Sequence, residues 1–102
     1  MDRRLKLHEL LEIVPGVKKA YFQPPENTKM EYPCIRYYRG RPSLDKADDK
    51  TYRYTECYEL IVIETDPDSQ IARYIAEHFS MVEVNSRYVS NNLYHTPITL
   101  YY

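Results

Sequence analysis

The stretch that most restricts how this chain can fold is residues 51–64, Thr-Tyr-Arg-Tyr-Thr-Glu-Cys-Tyr-Glu-Leu-Ile-Val-Ile-Glu. It contains no proline or glycine and is dense in aromatic and β-branched side chains. Read at period two, Tyr52, Tyr54, Tyr58, Leu60 and Val62 share one face. Arg53, Thr55, Cys57 and Glu59 share the other, ahead of Ile61 and Ile63. A usual strand has about 5–6 residues, so part of this run is expected to continue past the sheet as an arm.

Two amphipathic helices accompany that strand. In residues 3–14, Leu7, Leu10, Leu11 and Val14 repeat at helical spacing, Asp2 can cap the start, and Pro15-Gly16 stops the ladder. Asp66-Pro67-Asp68-Ser69 reads as a second helix start, with Asp66 as cap and Pro67 in the first turn. Its apolar stripe is Ile71, Ala72, Ile75, Ala76 and Phe79.

Shorter strands are expected at 17–22, 34–39, 81–84 and 98–102. Gln23-Pro24-Pro25-Glu26-Asn27 is excluded from the middle of a sheet, because each proline restricts itself and its predecessor. Gly40 and Pro42 end the second strand before a polar loop over 43–50, and Asn91-Asn92 marks a turn within polar 85–95. If 34–39 and 51–64 form a hairpin turning between 45 and 46, Cys34 faces Cys57, Tyr37 faces Tyr54 and Arg39 faces Tyr52.

The resulting order is α-β-β-β-α-β-β. It predicts a single α+β domain over 1–102, with a mostly antiparallel or mixed sheet of about five strands. Both helices are expected on one face, and a hairpin or loop protrudes around 40–53. Helices with single apolar stripes cover only one side of a sheet, so the other is solvated or covered by a second subunit.

Composition narrows the function. The 14 basic and 15 acidic residues leave a net charge of −1, which excludes a basic nucleic-acid cloak and an acidic DNA mimic as whole-chain descriptions. No apolar run approaches the roughly 20 residues that span a bilayer, so no membrane partner is expected. Met1-Asp2-Arg3-Arg4-Leu5-Lys6 is not followed by a continuous apolar segment, which predicts a cytoplasmic product. Two cysteines make no disulfide framework. Against two phenylalanines and no tryptophan stand 12 tyrosines, a residue type enriched in interface cores.

Sites of chemistry are not legible. His8, His78 and His95 are scattered, and neither cysteine has a histidine near it in sequence. Glu64, Asp66 and Asp68 lie close together, but capping accounts for the two aspartates, so no metal is expected. Two glycines in the whole chain leave no glycine-rich phosphate cradle, and no cofactor is expected. Arg36, Arg39, Arg41, Lys46, Lys50 and Arg53 alternate with Tyr37, Tyr38, Tyr52 and Tyr54. That mixture suits a single-strand nucleic-acid groove or a protein interface.

Tyr21-Phe22-Gln23-Pro24-Pro25-Glu26, with Lys29-Met30 and Tyr32-Pro33 after it, resembles a family of small proteins of tailed bacteriophages. Leu7-His8-Glu9, Val62-Ile63 ahead of Asp66-Pro67-Asp68-Ser69, Asn92-Leu93 with His95, and Tyr101-Tyr102 match in the same order. The resemblance implies a tail-terminator or tail-completion protein, a structural virion component rather than an enzyme. Such a protein works as a ring, typically six-fold, that caps the tail tube and joins it to the head connector.

Its implied partners are further copies of itself, the tail tube protein and the connector or neck proteins, with DNA passing through the lumen unbound. The implied location is the virion tail or neck, after assembly in the host cytoplasm. The interface candidates are Tyr37, Arg39, Arg41, Lys46, Lys50, Tyr52, Arg53, Tyr54, Tyr101 and Tyr102. Alternative readings are a neck, head-closure or minor tail protein, a single-strand nucleic-acid-binding module, and a small hydrolase built on converging histidines.

Overall fold

A computed structural model describes residues 3–40, 43–46 and 52–102. Helix α1 (Arg3–Glu12) leads into β1 (Lys19–Phe22) and β2 (Cys34–Arg39). Next come β3 (Ser43–Lys46), β4 (Tyr52–Thr55) and β5 (Cys57–Glu64). Helix α2 (Ile71–His78) follows, and then β6 (Val82–Val84), β7 (Tyr88–Ser90) and β8 (Leu93–Tyr101). The main sheet runs β1-β2-β5-β8-β6, with β7 also on β8, and β3 and β4 pair separately. Only β1–β2 is parallel.

The architecture is α+β with the expected order once three pairs of segments are merged. Strands β3 and β4 prolong β2 and β5, and β6 and β7 lie along the same edge of β8. Both helices contribute to one core. Leu7 and Leu11 of α1 and Ile71 and Ile75 of α2 pack with Ile35, Tyr37, Tyr58, Leu60, Val62, Ile98 and Leu100, all from one face of the sheet. Gly16, at φ +94°, makes the turn after α1 that a side chain would strain.

The register corrects the hairpin expected from sequence. Cys34 pairs with Ile63, Tyr37 with Leu60 and Arg39 with Tyr58. Residues 43–46 form strand β3 instead of a loop, with Leu44 opposite Tyr54 and Lys46 opposite Tyr52; residues 47–50 lie outside the described residues. The paired position moves from 57 to 63, an even slip, so the side chains of Cys57–Glu64 keep their expected faces, whereas β4 pairs one residue out of that register. Extending the hairpin lets Ile35 meet Val62 and Tyr37 meet Leu60 across the buried side.

The expected arm has a counterpart in β4, which leaves the main sheet to pair with β3. Gly40 stands where the ladder leaves that sheet, donating to the Cys57 carbonyl at 2.7 Å. A Cβ there would lie 3.0 Å from Cys57 Sγ, so any other residue would press on the Cys57 and Glu59 side chains. The β3–β4 ladder is offset by one residue from β2–β5. The molecule measures 51 × 24 × 22 Å, and its radius of gyration of 14.6 Å exceeds the roughly 13 Å of a compact chain this long.

Two further expectations change. Helix α2 starts at Ile71, because Asp66 closes a turn by accepting the Asp68 N–H at 2.9 Å; the Ser69 hydroxyl then accepts the Ile71 N–H at 3.2 Å. The last strand begins at Leu93 rather than 98, and β7 joins it through Asn91 and Asn92, whose φ values of 51° and 63° suit a tight hairpin.

Pro97 sits inside β8, a place that sequence reasoning avoids. Its carbonyl accepts the Asn85 N–H at 2.9 Å, so its nitrogen faces the same edge. The missing donor therefore falls where β6 has ended and β7 not yet begun, and the register steps by one residue there.

Candidate functional site

The residues singled out from sequence are distributed unevenly. Tyr37 is a correction, because it is fully buried. Its hydroxyl shares a 2.5 Å hydrogen bond with His8 Nδ1 and accepts from Arg4 at 3.5 Å. Its ring packs against Phe22 and Tyr58, and burial raises its pKa while Arg4 opposes the rise. It fastens α1 to the sheet. Arg39 stays partly exposed, pairs with Glu56 at 3.5 Å and lies over Phe22 and Tyr58.

Lys46, Tyr52, Arg53 and Tyr54 fall on β3 and β4, where Arg53 stands opposite Asp45. Arg41 and Lys50 lie outside the described residues. Tyr101 and Tyr102 end the chain and are half-buried. The Tyr102 N–H donates to the Glu56 carbonyl at 3.1 Å, and its own carbonyl accepts from Arg3 Nε at 2.9 Å. The Arg3 guanidinium covers the Tyr102 ring at 4.6 Å. The C-terminal tyrosines therefore tie α1 and the sheet together.

Two surfaces remain available. The sheet face away from the helices carries Arg36, Tyr38, Ile61, His95, Pro97, Thr99 and Tyr101, all partly exposed, by the alternation of β2, β5 and β8. Arg36 donates to the Tyr38 hydroxyl, and the Thr99 hydroxyl donates to Glu59 at 3.1 Å. The second is an apolar groove of about 380 Å³ between the helices and the end of β8, lined by Leu10, Ile13, Tyr74, Phe79, Tyr101 and Tyr102. Ile13 is 68% exposed. It was legible as an apolar residue off the Leu7–Leu11–Val14 stripe, yet periodicity alone assigned it nothing.

Each histidine has its own local partner. His8 meets Tyr37 and lies 3.6 Å from Glu12, His78 stacks on Tyr74, and His95 stacks on Tyr88. Burial pushes the Cys34 thiol up to about 11, against the pull of Arg36, and raises Cys57 with help from Glu59. Such thiols resist forming the nucleophilic thiolate. Among the described residues no group of three His, Cys, Asp or Glu side chains is placed to hold a metal ion. No described helix is long and apolar enough to cross a membrane.

Of the cations expected to mix with rings, Arg36 and Arg39 have described side chains, and both lie over rings of the chain itself. Arg36 lies over Tyr38, Arg87 over Tyr94 and Arg4 over Phe22. Compared with family models, curated proteins and solved structures, the chain finds no match.

Proposed function

We propose that this chain is a structural subunit of a phage tail-terminator or tail-completion ring, acting by assembly at the end of the tail tube. The observation that carries the reading is the sheet face without helices. Cys34 and Ile63 on it are buried, while Ile61, Pro97, Tyr38 and Tyr101 around them are half-exposed. A face of this mixed character suits contact with another protein surface, where aromatic residues and arginine are favoured. The β3–β4 arm adds a second, separate surface, and a closed ring needs two different surfaces for its two neighbours. The sequence resemblance to tail terminators supports the same reading.

The competing nucleic-acid reading is weakened by the pairing of arginines with the chain's own rings, since single-strand binding needs open aromatic faces. Light scattering with and without purified tail tubes tests the proposal. A closed ring of fixed mass, free or formed on the tubes, is expected. A monomer that ignores tubes overturns it, and a salt-dependent affinity for single-stranded DNA would put the rival in its place.

A further inference from the structure

A second pocket, of about 280 Å³, lies where the chain approaches α2. Its floor and mouth hold Glu64, Asp66, Asp68 and Ser69, and its walls include Pro15, Pro33 and Ile71. Glu64 is the last residue of β5, aligned with Tyr94 on the helix side of the sheet, and is 0% exposed. Neither of its carboxylate oxygens has a hydrogen-bond partner of ordinary geometry. Leaving a buried carboxylate so poorly matched is costly.

Arg87 approaches but does not complete it. One guanidinium nitrogen stands 3.9 Å from Glu64 Oε1, while another donates to the Pro67 carbonyl at 2.7 Å. Three carboxylates thus line or flank the pocket against one guanidinium. A metal ion is disfavoured because no three acidic side chains converge closely enough. Apolar walls above a buried anion match a different ligand shape, an aliphatic stem ending in a cationic head.

We propose that this pocket receives a basic side chain, with Glu64 as its buried counter-ion and Asp68 at the mouth. A guanidinium is the better fit, because neither Glu64 oxygen has a hydrogen bond of ordinary geometry, Ser69 and Arg87 standing only nearby, and a planar fork can serve two at once. The ligand class rests on the pocket alone and is independent of the ring assignment. Two sources share this chemistry: basic residues of a second copy, such as Lys46 and Arg53 on β3–β4, or those of another protein.

The test is a titration of the full chain with ethylguanidinium chloride, followed by amide NMR shifts at Gly16, Asp68, Ser69 and Ile71. Sodium chloride at matched ionic strength is the control. Saturable shifts are expected in the native chain, and their loss in Glu64→Gln, a neutral replacement of nearly the same shape. Asp68→Asn, a near-isosteric change at an exposed position, leaves the fold in place and should weaken the apparent affinity about two- to fivefold, as for an exposed ion pair.

Shifts matching those of sodium chloride, or unchanged in both variants, overturn the proposal. Raising the protein concentration without the probe separates the sources. Movement of the same four amides assigns the group to a second copy, and stillness assigns it to a different molecule.

Discussion

On the helix side of the sheet Ile35, Tyr37, Leu60, Val62, Ile98 and Leu100 are at most 1% exposed, whereas across the sheet Arg36, Tyr38, Ile61, Pro97 and Thr99 keep part of their surface in water. The same strands build both sides. On the first, aliphatic side chains fill the space beneath two helices, and Tyr37 directs its hydroxyl to His8. On the second, polar side chains stand among the half-buried ones, and the Thr99 hydroxyl donates to Glu59 across the strands. The contrast teaches that one face builds the core while the other keeps a mixed, half-buried surface, which is the face the proposed assembly would use.

Replacing Leu11 with Ala should produce the largest effect. Leu11 is fully buried, and such truncations cost about 2–5 kcal/mol; a urea midpoint close to the native one would dissolve the distinction between the faces. Next in size is Tyr37→Phe, which strips His8 of its partner and should cost about 0.5–1.5 kcal/mol. Thermal unfolding indistinguishable from the native chain would remove the proposed fastening of α1.

Glu64→Gln sharpens the comparison from the edge of the core. Burial raises the Glu64 carboxyl above its ordinary 4.5, assisted by Asp66 and opposed by Ser69 and Arg87. The folded chain therefore holds that proton to higher pH than the unfolded chain. Stability falls as pH rises from near 4.5 through the folded value, and levels off above it. The glutamine variant should lack this fall and melt higher than the native chain at pH 7; identical stability–pH curves would contradict the unmatched burial.

Thr99→Arg removes the hydroxyl bonded to Glu59 and should cost the monomer about 0.5–1.5 kcal/mol, yet abolish the ring mass that the proposed assembly predicts in light scattering. Unaltered assembly would move the subunit contact off this face. Smallest of all, Asn92→Gly relieves a positive φ of 63° and should shift stability by less than about 1 kcal/mol, read from the unfolding midpoint.

Much of the fold was legible because its signals are local. The stripe Leu7–Leu11–Val14, the stop at Pro15-Gly16 and the breaker-free 51–64 each encode their element within a few residues. Face assignments within 57–64 also survived, since the register there differed by an even number of positions. What misled was also local. Asp66-Pro67-Asp68-Ser69 has the chemistry of a helix cap, but those groups close a turn and the helix waits until Ile71. Pro97 argued against a long last strand, yet its missing N–H falls at a gap between β6 and β7 that no local pattern announces.

The candidate sites were less legible. Tyr37 looked like an interface residue because tyrosine suits both core and surface, and only the helix above it decides between them. Glu64 stood out only as one of three neighbouring carboxylates, with Asp66 and Asp68. The two helices, the α+β class and the two-faced strand 57–64 follow from the sequence by itself, because periodicity and turn chemistry act between near neighbours. Register, the burial of Tyr37 and Glu64, and the groove beside Ile13 were decided by the tertiary structure alone, because each depends on residues brought together from distant parts of the chain.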